Sequence, residues 1–75
     1  LIYATLYYNK KKIGEIADVG FNNIKEVMTK MNEFLPDDIP EMTRVDIKIE
    51  NADTGEMRVY NRMVKGGKIC VNDHH

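Results

Sequence analysis

NNIKEVMTKMNEFL, residues 22–35, is the stretch on which the fold turns. Ile24, Val27, Met28, Met31, Phe34 and Leu35 recur at three- and four-residue spacing, so they share one side of a helix. Lys25, Glu26, Thr29, Lys30, Asn32 and Glu33 fall on the other side. The spacing predicts one amphipathic helix over 22–35. Asn23 stands where a side-chain oxygen can accept from an orphan backbone amide, with Glu26 three residues on, a weak capping box. Pro36 ends the helix, because its ring excludes helical geometry at the preceding residue. Burying six large side chains would contribute roughly 9–18 kcal/mol gross, an upper bound. A stripe that wide needs a surface to cover, and the flanking segments read as the strands that supply it.

Leu1 to Tyr8 is rich in β-branched and aromatic residues and is apolar at both alternating registers, the mark of a central strand. Asn9 to Lys12 is the turn, and Ile13 to Val19 the return strand. Past the helix, the acidic segment Asp37 to Glu41 is a solvated loop closed by Pro40. Thr43, Val45, Ile47 and Ile49 then alternate with Arg44, Asp46, Lys48 and Glu50, which is a half-buried strand. Residues 51–55 are turn chemistry with Gly55 available for a left-handed conformation, and Met57, Val59 and Met63 continue on the returning strand. Matching apolar faces pairs Ile49 with Met57 and Ile47 with Val59. Gly66-Gly67 turns into a last short strand, Ile69 to Val71.

The expected fold is therefore α+β: strand, strand, helix, strand, strand (ββαββ) with a short fifth strand, one helix packed on a four- to five-stranded sheet. Hairpin–helix–hairpin order resembles the β-grasp architecture of ubiquitin-like domains and of immunoglobulin-binding domains of bacterial surface proteins. That resemblance lies in element order and length, and it implies a central first strand. A plain antiparallel sheet carrying one helix is the alternative. Seventy-five residues leave room for one small domain, 1–75, with 72–75 as a flexible tail.

Composition narrows the chemistry. A net charge of −1 gives no long-range pull towards phosphate backbones. No apolar run is long enough to span a bilayer, and no secretory signal is visible. The single cysteine, Cys70, has no internal partner, which fits a reducing, cytoplasmic setting. There is no serine for nucleophilic catalysis, no phosphate-binding glycine loop and no dinucleotide fingerprint. His74 and His75 are the last two residues, and Cys70 in an apolar run reads as a small hydrophobe rather than a ligand. No cofactor, metal site or catalytic residue is expected. The lysine, asparagine and isoleucine content suggests an AT-rich genome, where chains this short are often accessory or mobile-element products.

The feature left is the sheet face turned away from the helix. In the pairing above, Arg44 faces Arg62, Lys48 faces Arg58, Asp46 faces Tyr60 and Glu50 faces Glu56. Tyr3 and Tyr7 join that face in one register of the first strand. One reading is a checkerboard of solvated ion pairs, in which diagonal neighbours offset the like charges. The functional reading takes Tyr60, Arg58, Arg62, Arg44, Lys48, Tyr3 and Tyr7 as a recognition surface, since tyrosine and arginine dominate interface hot spots. Interleaved acids favour a protein partner, bound through the exposed face or a sheet edge, with self-association as a branch of that idea. The alternative is a single-stranded nucleic-acid binder, with bases stacked on tyrosines and phosphates held by arginines.

Overall fold

A sheet whose first strand lies in its interior carries the molecule. The computed structural model describes residues 1–71; the tail expected at 72–75 lies outside them. The chain runs β1 (Ile2–Tyr8), β2 (Lys11–Ala17), α1 (Ile24–Met31), a 3-10 turn (Asn32–Phe34), β3 (Thr43–Asn51), β4 (Met57–Lys65) and β5 (Lys68–Ile69). Strand order is β2-β1-β3-β4-β5, and every neighbouring pair is antiparallel. Of the two expected arrangements this is the plain antiparallel sheet. The likeness to β-grasp domains goes no further than element order and length.

Local chemistry sets the turns. Asn9 and Lys10 both take positive φ, 55° and 67°, and join Tyr8 to its partner Lys11 in a two-residue hairpin loop. Gly66 and Gly67, at 60° and 76°, do the same between Lys65 and Lys68. Both are the mirror-image turn whose twist matches that of the strands.

The helix is shorter than its apolar pattern. Eight residues are α-helical, the next three tighten into the 3-10 turn, and Leu35 is already extended before Pro36. Asn23 is the N-cap by position, but its side chain makes no capping bond; its carbonyl accepts from Val27 N–H at 3.2 Å. The stripe itself packs as expected. Val27, Met28, Met31 and Leu35 are buried with Ala4, Leu6, Val45, Ile47 and Ile49, and Ile24 and Phe34 lie against them.

The sheet curls into a half-barrel, and α1 touches β2 near one margin and β5 at the other. Two contacts lock this closure. The Asn32 side-chain oxygen accepts from Ile69 N–H at 2.8 Å, tying the helix end to β5. On the β2 side the Phe34 ring lies on Gly14: a Cβ there would stand 2.8 Å from Phe34 Cβ and closer still to the ring. Among the described residues no helix is long and apolar enough to cross a membrane.

Candidate interaction face

The ladder between β3 and β4 decides which side chains can act together. Ile49 stands opposite Arg58, Ile47 opposite Tyr60 and Val45 opposite Arg62. This is one residue away from the register that matching apolar faces predicts, and a one-residue slip moves every side chain of a strand to the other face. Arg44 therefore faces Met63 rather than Arg62, and Lys48 faces Val59 rather than Arg58. Asp46 faces Asn61 rather than Tyr60, and Glu50 faces Met57 rather than Glu56. The seven residues expected on one surface are divided between two.

The turn is the physical cause. Asn51 N–H donates to the Glu56 carbonyl at 2.8 Å, so four residues, Ala52 to Gly55, form the loop. Gly55, at φ 80°, donates its N–H back to the Asn51 carbonyl at 2.8 Å. The Asn51 side-chain oxygen accepts from Asp53 N–H at 2.9 Å. This bonding fixes the register before any side chain of β4 is considered. A warning was present in the sequence. The expected register set three like-charge pairs directly opposite one another, each unfavourable, and the observed ladder sets none of them so.

Arg58, Tyr60 and Arg62 thus lie on the helix side. Arg58 stacks on Phe21, its guanidinium carbon 4.5 Å from the ring centre, and its Nη1 donates to Asn22 Oδ1 at 2.9 Å. It pins the segment entering α1 to β4. Tyr60 packs against the core. Arg62 lies over the Tyr60 ring at 5.4 Å and donates to the Asn61 carbonyl at 2.8 Å. These contacts give all three side chains structural work.

The outer face is built in rungs across four strands. Ala17, Tyr3, Glu50 and Met57 make one, Glu15, Thr5, Lys48 and Val59 the next, and Lys12, Tyr7, Asp46 and Asn61 the third. Arg44 and Met63 extend it. Thr5 at its centre is buried, 3% exposed, beneath its neighbours. Lys48 lies over Tyr7, its Nζ 5.7 Å from the ring centre, and sits 3.9 Å from Glu50. Asn61 donates to Asp46. Lys12 donates to Glu15 at 2.6 Å, and that carboxylate holds the ammonium's pKa above its ordinary value. Met57 and Val59 are 53% and 56% exposed. Tyr3, Tyr7, Arg44 and Lys48 share this face; Met57 and Val59, expected in the core, are the residues that sequence reasoning missed.

No cluster of three or more histidine, cysteine, aspartate or glutamate residues suited to a metal ion occurs among the described residues. Asp73, His74 and His75 lie outside them. Cys70 is half-buried, and its N–H donates to the Met63 carbonyl at 2.8 Å. No protein-family model, curated protein or solved structure matches this chain.

Proposed function

We propose that the chain is a small non-enzymatic interaction protein that docks on a protein partner through the outer face of its sheet. One observation carries this reading: Met57 and Val59 stand more than half exposed on the same face as Tyr3 and Tyr7. Folding gains little from leaving two large apolar side chains in water, whereas an interface core gains from both. Around them Lys12, Glu15, Arg44, Asp46, Lys48 and Glu50 mix both signs of charge, the composition of a polar rim that sets orientation and choice of partner. A nucleic-acid surface is less well supported, because Arg58 and Arg62 lie on the opposite face and three acids remain on this one.

The test is capture of partners from native lysate treated with nuclease, using the wild-type chain and the double variant Tyr3→Ala/Tyr7→Ala. The reading expects a protein partner that survives nuclease and is lost from the variant, with the variant's unfolding still cooperative. Equal capture by both chains removes the outer face from consideration. Partners that disappear with nuclease move the weight to nucleic acid.

A further inference from the structure

We propose that β4 is a self-association edge, and that two copies pair antiparallel through residues 57–61 about a two-fold axis at Val59. The Cys70 N–H bond to the Met63 carbonyl shows that Met63 turns its backbone groups away from β3. Val64 and Glu56 turn theirs towards β3, accepting from Met42 and Asn51 N–H at 2.8 Å. Backbone direction alternates along an antiparallel strand, so Met57, Val59 and Asn61 also point outward. β5 pairs only with Val64 and Lys65, and the chain bends at Val71. Among the described residues nothing pairs with β4 from Met57 to Asn61.

The other edge of the sheet is defended by a bulge as well as by charge, whereas this one carries charges but no register shift. β2 carries a register shift opposite Leu6 and Tyr7, and exposed Lys11, Lys12 and Glu15. Bulges and charges are the usual means of blunting an edge. Head-to-tail pairing of β2 with β4 is therefore disfavoured, and the open edge has its own copy as its best match, which closes as a dimer.

A second copy fits by length and charge. With the axis at Val59, each Val59 exchanges two backbone hydrogen bonds with its counterpart, and Met57 exchanges two with Asn61 of the second copy. All three outward-facing residues are used. Moving the axis towards Met63 runs into the bond from Cys70, and moving it towards Gly55 leaves Asn61 open. On the helix side of the joined sheet, Glu56, 3.9 Å from Arg58 of its own chain, stands opposite Arg62 of the second copy, so unlike charges meet across the join. On the outer side Val59 meets Val59, and two outer faces become one continuous surface. A five-residue edge is small for an interface, so the dimer is weak and concentration-dependent. The inference goes beyond partner docking; it shares Met57 and Val59 with that reading, but Tyr3 and Tyr7 take no part in the pairing, so Tyr3→Ala/Tyr7→Ala separates the two.

Sedimentation velocity from low micromolar to millimolar concentration tests it. The wild-type chain should pass from monomer to dimer, and Tyr3→Ala/Tyr7→Ala should do the same. Val59→Lys places two ammonium groups opposite each other and should weaken association about tenfold or more. Glu56→Arg and Arg62→Glu should each weaken it, while their equimolar mixture should recover wild-type association as a heterodimer with both charge pairs complementary. A wild-type chain that stays monomeric, a Val59→Lys chain that associates unchanged, or a mixture no stronger than its components would overturn the proposal. Should Arg62→Glu fail to fold, Glu56→Arg and Val59→Lys still decide it, since both positions are exposed.

Discussion

Gly14 shows what a single position can demand. It lies opposite Leu6 on the helix side of β2, and the Phe34 ring occupies the space where a side chain would begin. Gly14→Ala forces the ring and the 3-10 turn to move, because Phe34 Cβ as well as the ring is in the way. Overpacking of this kind costs about 1–3 kcal/mol, and urea unfolding should show it as a lower midpoint with an unchanged slope. Glycine content alone did not flag this position, since close approach of a ring from a distant turn leaves no local pattern. The turn expected over Asn9 to Lys12 is shorter: Lys10 sits in it and Lys11 and Lys12 open β2, all three exposed, with Lys12 paired to Glu15.

Among the elements, the helix stripe, the central first strand and the alternating β3 were legible because periodicity reports burial directly. Ile24, Val27, Met28, Met31, Phe34 and Leu35 all reach the core as the spacing requires, although the last turn tightens to 3-10 before Pro36. β4 was misread because Met57, Val59 and Met63 recur at alternate positions, interrupted by Asn61, and matching them to the apolar face of β3 places them inside. Turn bonding at Asn51 and Gly55 outweighed that pattern. Opposite Ile49 the inner position of β4 meets the Phe21 ring, where Arg58 makes a cation–ring contact. The link between helix and β5 was equally invisible, since it rests on one amide oxygen. Asn32→Ala leaves the Ile69 N–H without its acceptor and should cost about 1–2 kcal/mol in thermal or urea unfolding. An unchanged stability would mean that β5 is held by the glycine turn and the Val64–Ile69 packing alone.

For the molecule as a whole, one register shift separates two descriptions. In one, tyrosines and arginines gather on an open face and the methionines fill the core. In the other, which the structure supports, the arginines clamp the helix side while Met57 and Val59 stand outside next to an unpaired edge. Both the docking reading and the dimer depend on the second. Amide hydrogen exchange resolved by residue, in dilute protein, separates them most directly, because backbone direction alternates with side-chain face. Slow exchange is expected at Arg58, Tyr60 and Arg62, whose N–H groups point to β3, and fast exchange at Met57, Val59 and Asn61. Protection at Met57, Val59 and Asn61 with fast exchange at the arginines would contradict it, returning the register to the one that apolar matching favours.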